Sequence, residues 1–176
     1  MSDDVLAQYQ DAVNKYREGA SIEEIEDTLH ALAEAQEPNT KLFLQELLNH
    51  DGWLVRYIGV TLLCYHYPDI DPDVIRQLED MLLHDPSDYV RGSIPLALSG
   101  FVTWPNATLL SALQQEPDIQ VRAAVLSAIL ELHQVSYKEA QKIYDIVRKY
   151  DHLPTLQELR QLLDAHQLPS DFLRDM

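Results

Sequence analysis

Seven histidines, one cysteine and 29 acidic residues are the side chains here with the chemistry to hold a metal or move a proton. His30, His50, His66, His84, His133, His152 and His166 are scattered. None forms the H-x-x-x-H pair that would put two imidazoles on one helical face. Cys64 and His66 are the only close soft pair, and residues two apart on a helix do not face each other. A reactive thiolate needs cationic neighbours to lower its pKa, and only Arg56 and His66 lie near Cys64 in sequence. His50 and His84 fall at equivalent helix ends, where an imidazole caps carbonyls and meets the helix dipole. There is no glycine-rich phosphate loop, no G-x-S-x-G elbow and no H-E-x-x-H. The expectation is a protein that is not an enzyme, with no catalytic residue, no metal and no cofactor.

Charge says more about partners. The formal net charge is -16, of which residues 1–118 carry -15 and residues 119–176 only -1. A field of that sign repels phosphate backbones and anionic lipid and attracts cationic proteins. A basic protein is therefore the expected partner, with no nucleic acid and no membrane. The acidic start MSDD carries no secretory pattern, no apolar run is long enough to span a bilayer, and Cys64 has no second cysteine to pair with. A cytoplasmic location is expected on those grounds.

The elements that must position any site are helices. Apolar residues recur at helical spacing nearly end to end, as in Val5, Tyr9, Val13 and Tyr16, then Ile22, Ile25, Leu29 and Leu32. Ser21 with Glu24, Ser136 with Glu139 and Thr155 with Glu158 read as capping boxes. Asp71-Pro72, Asp85-Pro86 and Glu116-Pro117 read as an acid cap followed by proline at the first helical position. About ten helices result, with no competing strand pattern.

A repeat organises them. Aligned on Arg56, Arg91 and Arg122, which are 35 and 31 residues apart, each copy places valine just before the arginine. Apolar or small residues follow at +3, +6 and +7: Gly59, Ile94 and Val125, then Leu62-Leu63, Ala97-Leu98 and Ala128-Ile129. These positions make one buried stripe. A short amphipathic helix precedes each copy, at 40–49, 72–83 and 106–115. Each unit is thus a helix pair whose apolar face needs a neighbour, and stacked pairs make an α-solenoid. The expected fold is all-α: a short right-handed solenoid of about five stacked helix pairs in a single domain spanning 1–176. Residues 3–38 form a divergent first pair, 39–134 the three clear repeats, and 135–176 divergent C-terminal helices or a cap.

Asp85-Pro86-x-Asp88-x-Val90-Arg91 and Glu116-Pro117-Asp118-x-x-Val121-Arg122 resemble the start of the second helix in HEAT-like repeats, particularly the short repeats of phycobilisome lyase subunits. The resemblance implies an armadillo-type superhelix in which acid and arginine form a ladder between successive repeats. Carried over, Asp85 pairs with Arg91 and Glu116 with Arg122. Around Arg56 the pattern departs, because His50 holds the acid position and Asp51 sits one residue late.

Second helices of such pairs line a concave face, and positions +1, +5 and +8 point outward: Tyr57, Thr61 and Cys64; Gly92, Leu96 and Ser99; Ala123, Ser127 and Leu130. With Trp53, Tyr65, Asp88 and Tyr89 near the helix ends, this is a small, aromatic face within an acidic surround. It suits protein binding, because aromatic side chains bring large area at low entropy cost. The candidate contact residues are Trp53, Tyr57, Thr61, Tyr65, Asp88, Tyr89, Gly92 and Leu96. Tyr67 and Trp104 lie at the ends of the same helices. Pro95 falls inside a helix and predicts a kink there. The functional expectation is a non-enzymatic interaction module or adaptor. The alternatives are a bilin-lyase-like subunit, which the resemblance implies, and an immunity protein that masks a cationic toxin.

Overall fold

The computed structural model describes residues 3–174, and among them every regular element is a helix. Packing divides the chain into two compact units, one ending at Val74 and the other beginning at Ile75.

The first unit holds α1 (Asp3–Arg17), α2 (Ile22–Glu34), α3 (Pro38–Leu47) and α4 (Trp53–His66). The capping box of Ser21 and Glu24 starts α2, and its buried stripe is Ile22, Ile25, Leu29, Leu32 and Ala33. α3 begins at Pro38, whose missing N–H costs nothing there, with Glu37 as the cap. The buried Glu37 carboxylate accepts from the Thr40 hydroxyl at 2.9 Å and from Asn39 Nδ2 at 2.7 Å. Burial pushes this carboxyl up, but the hydrogen bonds from Thr40 and Asn39 outweigh it and hold the pKa below the usual range. Within this unit α1 packs on α2, α3 on α4, and the second helices α2 and α4 lie against each other.

Gly59 makes the α3–α4 approach possible. A Cβ there would meet the Leu44 carbonyl oxygen at 3.1 Å and Leu47 Cβ at 3.1 Å, neither the tip of a flexible side chain. Gly59→Ala should therefore lower stability by about 1–2 kcal/mol, overpacking outweighing the helix-propensity gain. Gly92 is the internal control. A Cβ there would meet only Val121 Cγ2, at 3.7 Å, so the close approach that glycine permits is not used. Gly92→Ala should raise stability by about 0.5–1 kcal/mol. Urea unfolding of the two variants checks both signs.

The second unit holds most of α5 (Pro72–His84), then α6 (Asp88–Ser99), α7 (Ala107–Gln115), α8 (Ile119–Leu132), α9 (Tyr137–Val147), α10 (Leu156–Ala165) and a short 3-10 turn, Asp171–Leu173. Pro72 sits at the first helical position as expected, but Pro86 and Pro117 do not. Ser87 and Asp118 are the caps of α6 and α8, so both prolines lie before the cap. Asp85 and Glu116 serve the turn instead, each accepting at 2.9 Å from the backbone N–H two residues on. α6 continues through Pro95, which is itself buried.

α8 is the centre of this unit. It packs against α6, α7 and α9. Its residues from Val121 to Leu130 are buried without interruption. Ala123, Ser127 and Leu130, expected to face outward, are therefore covered. The physical reason is α9, whose apolar stripe of Ala140, Ile143 and Val147 needs a surface and takes the uncharged side of α8.

Candidate functional site

In the first unit, Trp53, Tyr57, Thr61 and Tyr65 follow one another at intervals of four and so form one stripe along α4. Trp53 is 45% exposed and Tyr65 85% exposed, while Tyr57 and Thr61 are half-buried between them. The Thr61 hydroxyl donates back to the Tyr57 carbonyl at 2.9 Å, so the stripe offers aromatic surface rather than a polar group. Arg56 anchors the start of α4 by donating from Nη1 to the carbonyls of His50 and Asp51, both at 2.8 Å. The aromatics do not all belong to the surface. Tyr67 is buried, and its hydroxyl donates to the Glu37 carbonyl at 2.8 Å. Burial and the nearby Glu37 push its pKa up to about 12.

In the second unit, Asp88, Tyr89, Gly92 and Leu96 occupy the outer side of α6. Tyr89 is 66% exposed and Leu96 39%. Asp88 is exposed, and its Oδ1 accepts from the Tyr89 backbone N–H at 3.0 Å. Trp104 is half-buried in a cluster, its ring 4.5 Å from that of His133 and 5.7 Å from that of Phe172. Phe172 stacks on His133 at 5.2 Å. Nothing in the local sequence around Trp104 signals this partner, which arrives from almost seventy residues downstream.

The arginines behind these faces are scaffold, and Arg91 does reach an acid of the next copy, but the Asp85–Arg91 and Glu116–Arg122 side-chain pairs carried over above do not form. Arg91 does not take the Asp85 carboxylate. It donates to the Asp85 backbone carbonyl at 2.7 Å and grips both oxygens of Glu116 at 2.9 Å each. That pair is nearly dry, with side-chain exposures of 14% and 4%. Glu116 is thus the partner of Arg91 rather than of Arg122. Arg122, buried, donates to three carbonyls: Leu113 at 2.7 Å, Pro154 at 2.9 Å and Gln114 at 3.1 Å. Burial lowers its pKa, with Glu116 acting the other way.

The nucleophile and the imidazoles show ordinary structural roles. Burial pushes the Cys64 thiol up to about 12, the opposite of activation. Among the described residues, no group of three or more His, Cys, Asp or Glu side chains is arranged to hold a metal. His66 and His133 each have a buried Nε2 with no hydrogen-bond partner among the described residues. Burial lowers the pKa of both, helped at His66 by His30, whose ring lies 4.9 Å away. His152 goes the other way. Its hydrogen bonds to Asp151 at 2.9 Å and Glu158 at 3.0 Å raise its pKa.

His66 and His133 stay neutral in the fold where the unfolded chain takes a proton, so their contribution is present above the ordinary histidine value and is lost as the pH falls. The contribution of His152 is complete below that value and is lost as the pH rises through its raised pKa. An NMR titration of the imidazole C–H signals should place His152 above the ordinary value of about 6.5 and His66 and His133 below it. Glu158→Gln should bring His152 down. A His152 that titrates with the buried pair would contradict this geometry.

Comparison with protein-family models, with curated proteins and with solved structures finds no match to this chain.

Proposed function

We propose that the chain is a non-enzymatic protein-interaction module: a short HEAT-like α-solenoid whose second helices present aromatic stripes to a basic protein. The exposure of Tyr65 and Tyr89 on the outer sides of α4 and α6 carries the reading. Large aromatic side chains held on rigid, well-packed helices suit recognition, since little entropy is lost on contact. The surrounding excess of acids favours a cationic partner and speeds its encounter. The repeat architecture draws support from packing within each unit: α3 pairs with α4 and α7 with α8, while α2 lies on α4 and α6 on α8.

The test uses the full chain as bait, with captured proteins identified and their charge recorded. A basic protein should be retained at low salt and released at high salt. Tyr65→Ala with Tyr89→Ala should weaken its binding by about 30-fold or more, the usual size of an aromatic anchor. Capture unchanged by these substitutions, or capture of acidic proteins alone, would sink the proposal.

A further inference from the structure

The chain contains five lysines. Lys15 is paired with Asp11 at 2.7 Å and Lys41 with Asp69 at 3.2 Å. The other three, Lys138, Lys142 and Lys149, are exposed and lie on one side of α9 and its C-terminal extension. None of them has an acid partner among the described residues. In a chain with 29 acids and 13 Lys and Arg, that is an unexpected place to find unused cations. They follow the spacing i, i+4, i+11, with Asp145 and Ile146 between them on the same side. This side is opposite the Ala140, Ile143 and Val147 stripe that packs on α8.

α2 carries the complementary pattern. Glu23, Asp27 and Glu34 are also spaced i, i+4, i+11 and are exposed, opposite the helix's buried stripe. They too lack ion-pair partners among the described residues. His30 and Ala31, both exposed, fall between them at the positions that Asp145 and Ile146 hold on α9. Laid parallel, the two helices set Glu23 against Lys138, Asp27 against Lys142 and Glu34 against Lys149, with His30 against Asp145, which Arg148 already holds at 3.1 Å. Ala31 and Ile146 lie on the flanks of the two faces. Laid antiparallel, Asp27 would meet Asp145 and His30 would meet Lys142. Glu23 and Glu34 still meet lysines that way, so the complete set of pairs forms in the parallel direction only.

We infer that α2 of one copy docks in parallel on the lysine face of α9 of a second copy, so that the chain self-associates head to tail. Both faces are exposed within a single chain, so each is available to a neighbour. The net charge of -16 opposes approach at long range. At physiological ionic strength the Debye length is about 8 Å, so acids remote from the contact are screened while the facing pairs are not. The two surfaces are different patches, which makes the contact heterologous. A copy that has given its α2 still has a free α9, so growth continues until a ring closes or the chain runs out. The inference does not depend on the aromatic faces of α4 and α6.

Sedimentation velocity of the full chain, at concentrations up to about 1 mM, tests it. The average mass should rise with concentration, and the rise should vanish in about 1 M salt, where the Debye length is about 3 Å. Lys142→Glu with Lys149→Glu should be monomeric, and so should Asp27→Lys with Glu34→Lys. All four positions are exposed, and far-UV circular dichroism checks that the helices are kept. The neutral pair Lys142→Ala with Lys149→Ala gives the same reading by a milder change. An equal mixture of the two charge-reversed variants should associate again, because each then offers what the other needs. A wild-type chain that stays monomeric throughout would overturn the proposal and leave the α9 face to an acidic segment of another protein. Association unaffected by the variants, or a mixture that fails to restore it, would overturn it equally.

Discussion

Replacing Arg122 by leucine is expected to lower the unfolding free energy by about 3–4 kcal/mol. The guanidinium is buried and serves three backbone carbonyls, two at the end of α7 and one at Pro154 ahead of α10. Leucine replaces the aliphatic stem but returns none of the donors. A carbonyl left unsatisfied in a dry site costs about 1–3 kcal/mol, partly offset because a buried cation no longer has to be desolvated. Arg122→Lys keeps the charge but reaches fewer of the three acceptors, and should still cost about 2 kcal/mol. Urea denaturation followed by circular dichroism measures both. A leucine variant within about 1 kcal/mol of wild type would mean that the desolvation cost of the cation cancels its three hydrogen bonds.

Glu116→Ala should cost about 3 kcal/mol, because it leaves the largely buried Arg91 guanidinium without its carboxylate. It also removes the acceptor for the Asp118 backbone N–H at the start of α8. Arg91→Met alone should cost about as much, by leaving the carboxylate buried without its cation. The double variant Arg91→Met with Glu116→Leu should be more stable than the Glu116→Ala single variant, since apolar replacement of both partners removes the unpaired charge. A double variant as weak as the sum of the singles would show that the two residues act separately.

The all-helical architecture was legible because its signals are local. The capping boxes at Ser21 and Thr155, the simple Ser136 cap, where the expected box is only half formed, and the apolar stripes each specify a helix within a dozen residues. The repeated valine and arginine marked where second helices begin for the same reason. What misled was the set of features decided by neighbours in space. Asp-Pro and Glu-Pro read as a cap and a first helical residue, yet Ser87 and Asp118 lie closer to the helix and take the cap. The resemblance pairs Glu116 with the arginine of its own copy, whereas Arg91 of the copy before it lies where both carboxylate oxygens can be gripped. The third outward face failed because periodicity along α8 says nothing about α9 arriving to cover it. The lysines of α9 were visible in the sequence, but their meaning required knowing that every other lysine is paired.

The uninterrupted burial from Val121 to Leu130 has a further consequence for motion. Backbone amides there exchange with solvent only when the helices around them have already left, so α8 should hold the slowest-exchanging protons of its unit. Opening must then proceed inward from α9 and from the C-terminal turns, and reclosing outward from α8. Any partner that quietens this half of the chain therefore does so by holding its peripheral helices in place, because the helix at its centre has no freedom left to lose.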